Sequence, residues 1–112
     1  MKRRAIPATD RQLFFARFTH EHAGALVTLR VNAHEEVVDR PLFRLDAEGS
    51  DVIVHAGSAR PGHRIPHVSS LQLEMTDGGA DSALRMTSED GTRAEVRLRT
   101  PVAGDSLDPA VE

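Results

Sequence analysis

The chain contains no cysteine, no tryptophan and no tyrosine. Without cysteine there is no disulfide framework, no thiolate metal site and no thiol nucleophile, which fits a reducing compartment. The four aromatics are Phe14, Phe15, Phe18 and Phe43. Three of them sit in one short segment, as packing residues do, rather than spread as stacking platforms for exposed bases. Long apolar runs are also missing, so no window can span a bilayer. The basic start Met1-Lys2-Arg3-Arg4 is followed by Ala5-Ile6-Pro7-Ala8-Thr9-Asp10, which lacks the apolar stretch of an export signal. The expectation is a soluble, cytoplasmic protein with no membrane partner.

Lysine is nearly absent too, with Lys2 alone against thirteen arginines. A GC-rich coding bias explains that without any function for individual arginines. The formal charge of −3 gives the whole surface no attraction for nucleic acid or anionic lipid. At 112 residues the chain is the size of one domain and buries roughly two-thirds of the surface its unfolded form exposes.

What is present is a pattern that changes period. Thr9-Asp10-Arg11-Gln12 has the form of a capping box, and residues 10–22 then read as a helix whose Phe14 and Phe18 share a buried stripe. Gly24 stands where helices end through a left-handed residue. Beyond it the period is two. Ala25, Val27, Leu29 and Val31 mark a first strand, and residues 32–36 a turn. A strand from about Val38 to Asp46 carries Pro41, which favours an edge position or a bulge. Residues 52–56 form a short β-branched strand, and residues 57–62 a loop ending in Pro61-Gly62. An extended piece broken by Pro66 follows, and then a strand with Leu71, Leu73 and Met75 inward.

The last hairpin is the most determined. Glu89-Asp90-Gly91 suits a three-residue connection with Gly91 left-handed. That register sets Leu84 opposite Val96 and Met86 opposite Ala94 inside, with Arg85 opposite Glu95 and Thr87 opposite Arg93 outside. A slip of one residue would turn the apolar set to solvent. Residues 101–112 have no periodicity and read as a disordered tail after one domain over residues 1–100. The fold expected is α+β: one N-terminal helix, then an antiparallel six- to seven-stranded meander curling into a small open β-barrel.

At several points the sequence resembles a family of short bacterial proteins grouped as a domain of unknown function. The residues that carry the resemblance are Ile6-Pro7-Ala8-Thr9-Asp10, the phenylalanine-rich helix and Gly24-Ala25-Leu26-Val27-Thr28, where tryptophan is more typical than Ala25. Leu73-Glu74-Met75-Thr76-Asp77-Gly78-Gly79-Ala80-Asp81, Ala83-Leu84 and Asp90-Gly91 continue it. These are turn and core positions, so the resemblance implies a fold and brings no catalytic residue.

The candidate binding residues are His55, Arg60, His63, Arg64 and His67, around one Pro/Gly loop. A divalent ion needs three donors converging at about 2.0–2.2 Å, whereas strand residues four apart lie about 13 Å from each other. His63 and His67 converge only if Pro66 bends the chain, and half-exposed edge histidines are the plainer reading. Arg60, His63 and Arg64 could bind an anion through the guanidinium fork, against the plainer reading of solvated arginine. His20 and His22 point to different faces of the helix and make a poor ligand pair. Arg93, Arg97 and Arg99 share a strand face with Glu95, which neutralises a nucleic-acid stripe. Serines lack a nucleophile-elbow context, and Asp77 to Asp81 is neither a phosphate nor a calcium loop.

No cofactor, catalytic residue or metal site is assigned on this basis. The reading is a non-enzymatic association module that pairs with itself or another protein through a sheet edge, the strand Val38 to Asp46. The alternative is a small-ligand or metal binder, or an enzyme, that uses the His55 to His67 region. Nucleic-acid binding by the last strand ranks third.

Overall fold

The computed structural model describes residues 2–57 and 62–102. The protein is α+β and mostly sheet. Strand β1 (Lys2–Ala5) leads through a 3-10 turn (Ala8–Asp10) into helix α1 (Arg11–His22). Seven strands follow: β2 (Leu26–Val31), β3 (His34–Glu48), β4 (Asp51–Ala56), β5 (His63–Ile65), β6 (Val68–Met75), β7 (Asp81–Ser88) and β8 (Arg93–Val102). All neighbouring strands are antiparallel.

The strand order is β1-β6-β7-β8-β2-β3-β4-β5, so two meanders, β2 to β5 and β6 to β8, are joined where β8 pairs with β2. Among the described residues eight strands replace the six or seven expected, and the sheet does not close into a barrel, because no ladder among them joins β1 to β5. Pro66 and His67 alone separate β5 from β6. The start of β6 is tied to the β3–β4 turn by Val68 N–H donating to Ser50 O at 2.8 Å.

The final hairpin has the expected register, with Leu84 opposite Val96 and Arg85 opposite Glu95. Gly91 has φ +91. Its inward residues join Val27, Leu29, Leu42, Val52, Val54 and Leu71 in one core under Phe15 and Phe18. Each such side chain contributes about 1.5–3 kcal/mol by leaving water.

Several expectations are corrected. The capping box is not formed: Thr9 lies in the 3-10 turn, and Asp10 caps α1 without a side-chain hydrogen bond. The buried helix face is Arg11, Phe15, Phe18 and His22, with Phe14 only partly covered and Leu13 exposed. These positions lie at i, i+4, i+7 and i+11 and form a continuous helical stripe. The turn after β2 is only Asn32-Ala33, both left-handed at φ 51 and 71, so β3 begins at His34 instead of Val38.

The strand expected at an edge is central, because β3 pairs with both β2 and β4. Pro41 is tolerated there because the register slips on both sides of it, between Val27 and Leu29 of β2 and between Leu42 and Arg44 of β3. Asp39, at φ 50, donates its N–H to Thr28 Oγ1 in place of a ladder partner. Among the described residues the edges are β5 and β1. The tail boundary also moves, since β8 runs to Val102 opposite Asp81. Residues 103–112 lie outside those described.

Candidate binding groove and its acidic end

Helix α1 packs over β3, where Leu45 N–H donates to Thr19 Oγ1 at 3.1 Å. The helix is thereby held toward one side of the sheet, and β1 is held at the other by its ladder with β6 and by Ile6 N–H donating to Leu71 O. Between them lies a groove of about 700 Å³. Ile6, Leu73 and Met75 line it from the sheet side, and Leu13, Phe14 and Phe18 from the helix. Arg4 and Arg17 bring positive charge to it, and the Arg4 guanidinium lies 6.0 Å from the centre of the Phe14 ring. That is the outer limit of a cation–π contact.

Acids mark one part of the groove. Glu21 and Asp81 line it, and directly behind Asp81 is His22, whose Nε2 is 2.8 Å from Asp81 Oδ2. The His22 side chain is 0% exposed, its ring centre is 4.4 Å from that of Phe18, and its Nδ1 is buried without a partner. Asp81 is thus a groove carboxylate with a buried imidazole fixed against it. Among the described residues, Glu21, His22 and Asp81 are the three metal-capable side chains whose donor atoms gather within 4.8 Å of one another.

The opposite face of the sheet is an ionic lattice. Glu74 is buried there, accepting from Arg85 Nε at 2.7 Å and from Arg97 at 3.2 Å, and Arg97 also meets Glu95 at 2.7 Å. Burial pushes the Glu74 carboxyl up, but the hydrogen bonds and charges of Arg85 and Arg97 outweigh it and hold it below its ordinary value. Glu95 and Glu74 in turn raise Arg97. A shallower hollow of about 300 Å³ on this face is lined by Arg3, Arg30, Arg85 and Arg93 around Glu95. Of the stripe expected from Arg93, Arg97 and Arg99, Arg97 is held in the ion-pair network, Arg93 lines the hollow beside Glu95, and Arg99 is exposed beyond it.

The sequence-predicted residues lie elsewhere. His55, on β4, has Nε2 3.1 Å from Asp46 Oδ2, and Arg44 shares that carboxylate at 2.9 Å. His63 sits on β5 in register with Val54. Arg64 is held between Asp51 at 2.6 Å and Glu48 at 2.8 Å, which raise its pKa, Glu48 most. The His67 N–H donates to Asp51 Oδ1 at 2.9 Å, and that bond, with Arg64, holds Asp51 below its ordinary value. Arg60 falls outside the described residues. The arrangement staples the β3–β4 turn to β5 and leaves the Arg64 fork already occupied. None of these histidines lines either hollow.

Glu21 and Asp81 were invisible as a pair because 60 positions separate them in sequence and only the fold joins them; the one local signal was a histidine on the buried stripe two residues before Gly24. No described helix is long and apolar enough to cross a membrane. Comparison with family models, with curated proteins and with solved structures finds no match to this chain.

Proposed function

We propose that the protein is a non-enzymatic binding module that takes an extended acidic segment of a partner protein along β1, with apolar side chains of that segment entering the groove. The observation that carries this reading is the juxtaposition of a free strand edge with an apolar groove. The edge, Lys2-Arg3-Arg4-Ala5, is wholly exposed, and Arg4 and Ala5 also line the groove. A strand added there would satisfy unpaired backbone groups and send alternate side chains toward Leu13, Phe14 and Met75.

Charge selects the occupant. A second copy pairing through its own β1 would set Lys2, Arg3 and Arg4 against the same residues, which is unfavourable. A run of cations also protects an edge from indiscriminate pairing. An acidic strand meets neither obstacle at the edge, and if its acids alternate with apolar residues only the apolar ones enter the groove, where Asp10, Glu21 and Asp81 would repel carboxylates. Self-association through Val38 to Asp46 has lost its basis, since both sides of β3 are paired.

The test uses two labelled decapeptides, one alternating leucine with aspartate and one alternating leucine with lysine. The acidic peptide should bind, more weakly as salt rises, and should shift amide resonances of residues 2–5, Leu13, Phe14, Arg17 and Met75. Arg4→Glu should weaken it at least about tenfold. Equal binding of the lysine peptide, or no binding of either at about 1 mM, would overturn the reading.

A further inference from the structure

We propose that Glu21, His22 and Asp81 form a site for one divalent transition-metal ion of the zinc or cobalt class, with an open coordination position facing the groove. One imidazole nitrogen and two carboxylate oxygens are a donor set such ions accept, and three protein ligands leave a fourth position for water or a ligand. Their donor atoms already lie within 4.8 Å of one another, with His22 Nε2 and Asp81 Oδ2 at 2.8 Å. A tetrahedral ion bound at about 2.0–2.2 Å spaces its donors about 3.3–3.6 Å apart. The His22–Asp81 pair therefore has to open by less than an ångström, and Glu21, exposed at the groove, has to close by little more than one.

The position of the cluster favours a cation, and the burial of His22 does not oppose one. His22 is fully buried, yet Nδ1 has no partner. In the tautomer that places Nε2–H on Asp81 the bare lone pair is on Nδ1; with metal on Nε2 the ring proton would be on Nδ1. One buried atom is unsatisfied in either form, so binding creates no new orphan. Glu21 and His22 also occupy the last turn of α1, where the partial negative charge of the free carbonyls favours a cation. Asp81 opens β7 directly after the turn in which Ala80 N–H donates to Thr76 Oγ1 at 3.1 Å, and this anchors its backbone. The ion would reach the site through the groove, which Glu21 and Asp81 both line.

The experiment is calorimetric titration of tag-free, chelator-stripped protein with zinc chloride, alongside nitrogen-15 spectra of the imidazoles. One equivalent should bind more tightly than about 100 µM, and the His22 Nε2 resonance should move. Glu21→Gln, at an exposed position that leaves the fold intact, should weaken binding at least about tenfold, and Asp81→Asn likewise. A triple variant His55→Ala, His63→Ala, His67→Ala should bind as the parent does. Binding weaker than that threshold, binding that survives both carboxylate changes, or binding lost in the triple histidine variant would each overturn the proposal. None of these results depends on the peptide reading, whose probes contain no metal.

Discussion

Replacing Glu74 with glutamine tests the outer face of the sheet most directly. The Glu74 side chain is 1% exposed, while Arg85 and Arg97, which donate to it, are 46% and 40% exposed. Breaking a fully buried ion pair costs about 3–5 kcal/mol, and a hydrogen bond to a charged group contributes about 1.5–3 kcal/mol. Here both guanidinium groups can rehydrate, and both keep Glu95 as a partner, at 3.5 Å from Arg85 and 2.7 Å from Arg97. The loss therefore belongs near the lower figures, at about 2 kcal/mol, or roughly 10 °C in Tm for a chain of this size. With neither tryptophan nor tyrosine to report, urea unfolding is followed by far-UV circular dichroism.

Glu35→Gln is the matched control, since its pair with Arg30 at 3.1 Å is exposed; it should cost below about 0.5 kcal/mol. The same comparison carries a pH signature. Glu74 has a folded-state pKa lowered from 4.5, so the stability it contributes is complete above that value and is lost as pH falls through the lower folded one. The gap between parent and Glu74→Gln should be widest above about pH 5 and should shrink steadily in acid. If Glu74→Gln and Glu35→Gln prove equally mild at neutral pH, the buried carboxylate is not holding this face together.

Three further outcomes follow from the backbone and the core. Phe15→Ala should cost about 3–5 kcal/mol and Leu13→Ala below about 0.5 kcal/mol by urea unfolding, because only the former is buried; the reverse order would mean that the helix is rotated. Ala33→Gly should raise stability by about 0.5–1 kcal/mol, since Ala33 holds φ 71 in a two-residue hairpin turn suited to Asn-Gly, and a fall in Tm would count against that turn. Gly62→Ala should lower stability by about 1–3 kcal/mol, because φ is +103 and the added carbon would lie 2.9 Å from His55 Nδ1; an unchanged Tm would refute that packing.

What could be read from the sequence was local. The β7–β8 hairpin is the clearest case: a three-residue turn and two alternating strands agree on one register, so no information from elsewhere is needed. The helix and the period of the sheet were legible for the same reason. The errors share an opposite cause. Pro41 signals a disturbed ladder, but an edge and a bulge disturb it alike, and only pairing with β2 and β4 distinguishes them. Strand β1 has no apolar alternation at all; it is a strand because β6 offers it an edge. On the helix, Phe14, Phe15 and Phe18 with His22 close by leave the buried face open by about one residue's rotation, and the polar Arg11 that completes the true stripe gave no sign of burial.

The groove belongs to a further level, because it is a gap between elements and gaps have no residues of their own. Its width follows from two anchors that act independently. Thr19 fastens α1 over β3, and the Ile6–Leu71 bond, with the β1–β6 ladder, fastens the chain before it five strands away. The link between them is the 3-10 turn Ala8–Asp10, too short to let α1 slide across and cover Leu73 and Met75. An apolar helix face would otherwise close over an apolar sheet. The tether keeps that contact incomplete, which leaves Phe14 half-covered and Leu13 in solvent. The same tether sets where His22, at the far end of α1, meets Asp81. A longer link would let the helix close the groove and carry Glu21 and His22 away from Asp81. Inserting two or three glycines after Pro7 should accordingly raise the protection of Leu13 and Phe14 from solvent while weakening both zinc and peptide binding, and loss of one without the other would separate the two sites.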